Sequence, residues 1–344
     1  MRILLSVLVT LFVAVNSVWA AMPKLKEGHP QEYVVVKGDT LWGISERFLD
    51  SPWLWPEIWQ ANPQISNPDL IYPGDVIGFV YVDGQPRITT VRRGEVGNTI
   101  KLTPKARISA IDTAIPAIPL DAISSFLTGS RVMEEAELNA APYVLQGKEG
   151  HIVMGAGSVL YGRGKMGENA SVGIFRSSQR FMDPDTKEFL GLEAMEIGLA
   201  RVDQVDGEIL TLNVQRSREQ IRQGDRLLPT DDRVITSTYK PSAPDQAIEG
   251  KMIAVLNGVK NIGQYDVVVI NRGSREGVTE GNVFAIYKTG GVVRDPITKE
   301  NVELPSEKAG LLMVFRTFEK VSYGLILKAL RPLSVMDEVK NPRF

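Results

Sequence analysis

The sequence predicts an α+β module of strand–helix–helix–strand (βααβ) order near its N-terminus, then mainly-β duplicated domains, each a small barrel or sandwich. Three observations carry this. Four tryptophans (Trp42, Trp53, Trp55 and Trp59) fall within eighteen residues of one another, between two short β-branched runs. The hexapeptide Asp-Pro-Asp-Thr-Lys-Glu at 183–188 returns as Asp-Pro-Ile-Thr-Lys-Glu at 295–300, an offset of 112 residues. The C-terminal half consists of short β-branched runs punctuated by Gly, Asp and Pro.

Composition narrows the function classes first. Of 344 residues, 43% are hydrophobic and 23% charged, the balance of a packed chain rather than a disordered or coiled-coil one. With 39 basic and 41 acidic side chains the formal charge is −2, so there is no electrostatic case for nucleic acid. The absence of cysteine excludes disulfides, thiol nucleophiles and cysteine metal sites. Any Ser-His-Asp triad or two-histidine zinc site would have to use the only two histidines, His29 and His151. The expectation is a protein that is not an enzyme, with no metal and no cofactor.

The elements can be taken in chain order. Met1-Arg2 is a short positive start, Ile3 to Val15 is a charge-free apolar run, and Val18-Trp19-Ala20 ends on a small residue. This is the pattern of a signal peptide over residues 1–20, cleaved near Ala20. The apolar run is shorter than the roughly twenty residues of a spanning helix. No cysteine follows, so lipidation of a new N-terminal Cys is not expected.

Next, Tyr33-Val34-Val35-Val36 reads as a strand and Lys37-Gly38-Asp39-Thr40 as a turn. Asp39 or Thr40 caps a helix whose apolar positions, Leu41, Ile44 and Phe48, are spaced three and four apart. Ser51-Pro52 ends it, and a second helix begins near Pro56 and stops at Asn62-Pro63. Asn67 to Ile71 is a loop, Tyr72-Pro73-Gly74-Asp75 a turn, and Val76 to Val80 the closing strand.

These residues resemble the LysM domain family. The resemblance rests on Tyr33-Val-Val-Val-Lys-Gly-Asp-Thr-Leu-Trp-Gly-Ile44, then Ala61-Asn62-Pro63, then Leu70-Ile71-Tyr72-Pro73-Gly74-Asp75, in the family's spacing and order. It departs from the family's shortest members in the aromatic insert Ser51-Pro52-Trp53-Leu54-Trp55-Pro56. The resemblance implies binding of N-acetylglucosamine-containing glycan, in bacteria most often peptidoglycan. It places the groove between Gly38, Asp39, Thr40 and Leu41 on one side and Asn67, Pro68, Asp69, Leu70 and Ile71 on the other. Read as residues alone, Gly38 can simply serve the turn, Asp39 or Thr40 the cap, and Leu70 the core. Clustered aromatics in so small a module are more often core than sugar platforms. Trp42 and Trp59 are therefore expected in the core, with Trp53 and Trp55 open between the two roles. The module is acidic, with Lys37 and Arg47 against Asp39, Glu46, Asp50, Glu57, Asp69 and Asp75, so charge does not drive binding to an anionic polymer.

Asp83-Gly84-Gln85-Pro86 marks the boundary that closes a domain at 31–82. Residues 88–145 form a connecting domain of unassigned fold, with a short helix expected from Asp121 to Leu127. Two β-rich repeats follow at 146–230 and 251–344, separated by a linker at 231–250 with Pro241 and Pro244. Over 172–202 the repeats share ten identities in thirty-one ungapped positions, and Asp225 meets Asp337 at the same offset. The Asp-Pro segments read as hairpin loops. A calcium loop would need more carboxylates at ligand spacing. Gly155-Ala156-Gly157 and Gly162-Arg163-Gly164 lack the Lys-Ser/Thr ending of a phosphate loop and read as turns.

The arrangement as a whole resembles the secretin-associated proteins of type IV pili. The residues are the leader, the LysM-like module with its Pro-Trp-Leu-Trp-Pro insert, Ile221-Arg222-Gln223-Gly224-Asp225-Arg226-Leu227-Leu228-Pro229, and Ala309-Gly310-Leu311-Leu312-Met313-Val314-Phe315-Arg316. That resemblance implies a periplasmic adapter, peripheral to the outer membrane, which surrounds the pilus secretin, anchors it to peptidoglycan and supports twitching motility. A ring-like homo-oligomer around the secretin would fit it. The alternatives are a general envelope scaffold with another partner and, at greater distance, a wall-remodelling enzyme.

Overall fold

The structure is a computed structural model that describes residues 24–56, 71–82, 85–92, 117–230, 239–256, 262–288 and 290–342. In the N-terminal module, β1 (Glu32–Val34) pairs antiparallel with β2 (Val76–Val82), placing Tyr33 opposite Ile77. β2 turns back into β3 (Gln85–Arg92), so this sheet runs past the boundary expected at residue 82. Between β1 and β2 lies α1 (Leu41–Phe48), capped by Thr40, whose Oγ1 accepts from the Gly43 amide at 3.0 Å. Its Leu41, Ile44 and Phe48 share one face and are buried with Val35, Trp55, Ile71 and Ile77. Pro52 opens a 3-10 turn, Pro52–Leu54, and Trp55 and Pro56 continue it as helix. The rest of the expected second helix, Trp59 included, lies outside the described residues, as does the leader.

Of the connecting domain expected at 88–145, the structure describes residues 88–92 and 117–145. Helix α2 (Leu120–Gly129) covers the helix expected at 121–127 and leads into β4 (Ser130–Met133). That short strand has no sheet to itself and pairs along the strand Phe189–Asp206, with Ser130 opposite Met195. After α3 (Glu135–Ala140) the chain enters β5 (Tyr143–Gly147), already a strand of the next sheet.

That sheet contains β6 (Val159–Arg163), β7 (Ser171–Met182), β8 (Phe189–Asp206), β9 (Ile209–Ser217) and β10 (Arg226–Pro229). Its order is β4-β8-β7-β10-β5-β6-β9, and pairing of β9 with β8 returns the path to its start. The second sheet is a closed six-stranded barrel in the order β11-β12-β17-β16-β13-β18. Its strands are β11 (Glu249–Val255), β12 (Val267–Ile270), β13 (Val283–Lys288), β16 (Glu307–Thr317), β17 (Ser322–Ala329) and β18 (Glu338–Lys340). Taken in chain order, the six ring strands pair in the same sequence in both units. All six contribute inward apolar residues in each: Val144, Leu160, Ile174, Ala200, Leu212 and Leu227 in the first, and Met252, Val268, Ile286, Leu312, Ile326 and Val339 in the second.

The expected linker is partly structured. Ser242 donates its amide to Gly281 O at 3.0 Å and accepts from the Val283 amide at 2.8 Å, while Tyr239 and Ile248 are buried. These two apolar side chains hold the segment against the second barrel, and β11 begins at Glu249, inside the expected span. A separate two-stranded hairpin, β14 (Val292–Arg294) and β15 (Asn301–Glu303), rises between β13 and β16.

The units touch through polar and apolar contacts. The 183–188 loop at the tip of hairpin β7–β8 seats on the second barrel. There Lys251 Nζ reaches Asp185 Oδ1 at 2.6 Å, Asn271 Nδ2 donates to Asp183 Oδ2 at 2.8 Å, and Arg275 meets both Glu188 oxygens at 2.6 and 2.9 Å. Both hexapeptides are hairpin loops, as the Asp-Pro pairs suggested.

Candidate functional site

The turn between β1 and α1 is held by Asp39. Its Oδ2 accepts from the Val36 amide at 2.8 Å and from the Tyr33 hydroxyl at 3.0 Å, while its own amide donates to Val36 O. Burial, then the bond to Asp39, pushes the Tyr33 hydroxyl pKa up. Arg47 lies over the Tyr33 ring at 4.6 Å. Gly38 sits at φ +97°, a left-handed conformation that suits glycine, and is exposed. The Tyr72-Pro73-Gly74-Asp75 turn clamps the other side: the Val35 amide donates to Asp75 O, the Gly74 amide to Val35 O, and the Tyr72 amide to Asp75 Oδ2 at 3.0 Å.

The residues expected at the groove therefore divide. Gly38 is exposed and Asp39 and Thr40 half-buried, the last two held by hydrogen bonds within the turn and cap. Leu41 and Ile71 are buried in the module's core. Asn67, Pro68, Asp69 and Leu70 lie outside the described residues. What side chains and backbone present here is a short turn fixed by its own hydrogen bonds.

Two further residues flank this turn on the exposed side. Val34, the last residue of β1, and Val36 just beyond it are both more than half exposed, on the side opposite buried Val35. The run Tyr33-Val34-Val35-Val36 is apolar throughout, so no alternation in the sequence marks which valines face outward. They leave exposed apolar side chains beside Gly38.

The tryptophans are not that surface. Trp42, Trp53 and Trp55 are all buried. Trp55 lies in the module's core, whereas Trp42 and Trp53 join an apolar cluster with Ile123 of α2 and Leu311 and Met313 of the second barrel. The Trp42 amide donates to Ala117 O at 3.0 Å, Lys308 Nζ stands 5.5 Å over the Trp53 ring, and Lys328 pairs with Glu46. The aromatic insert thus seats the module on the second barrel.

Away from the module, a cleft of about 420 Å³ is lined by Phe126, Ser130, Glu193, Met195, Arg218 and Leu256, among others, at the junction of α2 and both sheets. Among the described residues no group of His, Asp and Glu is arranged to hold a metal ion. No curated protein matches the chain. The LysM family model does match, over residues 33–77, the span that holds the Gly38 and Tyr72–Asp75 turns. Residues 33–77 are a LysM domain, a module that generally binds peptidoglycan.

Proposed function

We propose that the chain is a non-catalytic peptidoglycan-binding adapter of the periplasm, exported by cleavage near Ala20, whose barrels attach the outer-membrane secretin of type IV pili to the cell wall. The observation that carries this reading is a LysM domain seated on a larger body of two β-rich units. One end suits glycan and the other leaves two barrels for a protein partner. The lack of cysteine and the presence of only His29 and His151 support a role without catalysis. Shared strand order and matching hairpin loops support descent of both units from one duplicated domain. The secretin itself rests on the resemblance of the leader, the insert and the 221–229 and 309–316 segments.

Physically, one small groove with a few amides and one apolar face gives an affinity on the order of micromolar. Several copies around one pore would gain roughly 10²-fold by avidity on the same glycan mesh. A pore through which pili pull needs that kind of anchor.

The purified chain should sediment with insoluble peptidoglycan and be displaced by soluble N-acetylglucosamine oligosaccharides. Gly38→Trp, or Asn67→Ala with Leu70→Ala, should cut the sedimented fraction several-fold while the melting of the barrels is unchanged. Equal sedimentation of wild type and variants would put the groove elsewhere. With solubilised outer membranes the same chain should recover the secretin. Recovery of other envelope proteins alone would leave a wall-anchored scaffold with a different partner.

A further inference from the structure

Hairpin β14–β15 is the positional twin of the tip of hairpin β7–β8, and the two differ in what covers them. The loops are built alike. Asp183 Oδ1 accepts from the amides of Asp185 and Thr186 at 2.9 Å, and Asp295 Oδ1 from those of Ile297 and Thr298 at 2.7 and 3.0 Å. Lys187 and Lys299 both stand at φ 64° and both donate from Nζ to the proline carbonyl at 2.6 Å. Apolar positions recur at the same offset of 112, with Phe181, Leu190 and Leu192 answering to Val293, Val302 and Leu304. The first three are buried. The second three are 44%, 43% and 44% exposed, and Ile297 at the tip is 87% exposed. A lone two-stranded hairpin is marginal in water, and a cluster of exposed apolar residues on one marks a docking surface.

The contact within the chain says what fits it. The first tip meets Lys251 and Asn271, and its Phe181 and Leu190 share an apolar cluster with buried Val321. The matching positions on the first unit follow from pairing. Val144 and Met252 both donate to the carbonyl of the turn aspartate, Asp225 or Asp337, so Tyr143 stands where Lys251 does. Arg163 pairs with Tyr143 and with Ile209, which puts them in the places of Asn271 and Val321. Arg163 is exposed and Ile209 is 40% exposed, whereas Val321 is covered.

The differences are complementary. Where the first tip offers Asp185 to Lys251, the second tip carries Ile297 and the first unit carries Tyr143, so an ion pair becomes an apolar pair on both sides at once. Asp295 would face Arg163, which now holds Glu208 at 3.1 Å with both side chains more than half exposed, a pair that exchanges readily.

We propose that hairpin β14–β15 of one copy docks on the β5–β6–β9 face of the first unit of a second copy, as hairpin β7–β8 docks within the chain. Each copy uses one surface and offers the other, so the association is heterologous and propagates head to tail, closing into a ring or extending as a filament. It deepens the adapter reading by supplying the copies that avidity needs. Neither surface includes residues 33–77, so it can fail while glycan binding stands.

Because the chain lacks cysteine, Ile297→Cys and Tyr143→Cys each introduce a single thiol. Mixed under mild oxidation, the two variants should form a covalent dimer in clear excess over a control mixture of Val153→Cys with Ile297→Cys. By sedimentation velocity, Ile297→Asp should weaken self-association roughly tenfold or more. Adding Tyr143→Lys to that variant rebuilds the Asp185–Lys251 pairing between copies and should restore it. Ile297 and Val153 are exposed and Tyr143 is half-buried beneath Arg226, so the thermal midpoint of each variant is compared with wild type to show that the fold survives. A chain that stays monomeric to roughly 1 mM, association indifferent to Ile297→Asp, or failure of both the cross-link and the restoration overturns the proposal.

Discussion

Val36-Lys37-Gly38-Asp39 is one instance of a turn that this chain uses again and again. The aspartate side chain accepts from the amide three residues earlier: Val36 to Asp39 at 2.8 Å, Tyr72 to Asp75 at 3.0 Å, Arg222 to Asp225 at 2.8 Å, Gly263 to Asp266 at 2.7 Å and Ser334 to Asp337 at 2.9 Å. The residue before each aspartate has positive φ. It is Gly38, Gly74 and Gly224 in three cases, but Tyr265 and Met336 in the others, at φ 69° and 80°. A side chain there costs about 1–2 kcal/mol, partly offset by the freedom an unfolded glycine would gain. Met336→Gly should therefore raise stability by roughly 0.5–1 kcal/mol, and Gly224→Ala lower it by about 1 kcal/mol, as read by denaturant unfolding. A loss of stability in Met336→Gly would show that its side chain contributes more than the turn costs. The turns at Gly38-Asp39 and Gly74-Asp75 were legible in the sequence. Tyr265-Asp266 and Met336-Asp337 were not, because only the backbone reveals the strain.

At the scale of elements, the hairpin loop at 183–188 acts as a latch. Burial alone would raise the Asp183 pKa, but the Thr186 amide, the Asn271 side chain and the Asp185 amide outweigh it and bring it below the ordinary value. Glu188 is lowered chiefly by its bond to Arg275. A carboxyl lowered in the folded state contributes stability that is present above its unfolded pKa of about 4 and lost as pH falls through the folded value. Acidification from about pH 5 to 2 should thus loosen the latch. The thermal midpoint of Asp183→Asn should fall less steeply over that range than wild type's. Asp337, raised by burial, has the opposite sign and is untouched by this change. Equal slopes would mean that the latch does not set acid stability. The hexapeptide repeat identified both hairpins, whereas the seat of Asp183 on Asn271, 88 residues away, had no sequence signal.

Across the whole molecule, the module and the two β units form a continuous contact system. Ser130 Oγ donates to Glu193 at 2.8 Å and lies 3.0 Å from the Tyr323 hydroxyl, a buried polar link from β4 and β8 to β17. Burial first, then Glu193, pushes the Tyr323 pKa up, so the hydroxyl stays neutral. Trp53 serves the other junction. Removing a buried indole costs about 3–5 kcal/mol, and here the loss falls on the contact between module and barrel. Trp53→Ala should split thermal unfolding into two transitions, the module melting first, with the barrels close to wild type. A single transition at the wild-type temperature would show that the module holds its place without this side chain.

The sequence by itself determined the module, its helix cap and core spacing, the turn chemistry and the presence of two related hairpins. All of these depend on residues close together in the chain, where periodicity, capping and Gly or Asp preferences act directly. Tertiary structure alone decided that Trp53 packs on a barrel instead of sugar, that β3 extends the first sheet, that β4 and β5 join the sheet that follows them, and that one hairpin is covered while its twin is bare. Those outcomes depend on which surfaces meet across a hundred residues or more. Nothing in an aromatic or apolar residue's identity says whether protein, glycan or water will lie against it.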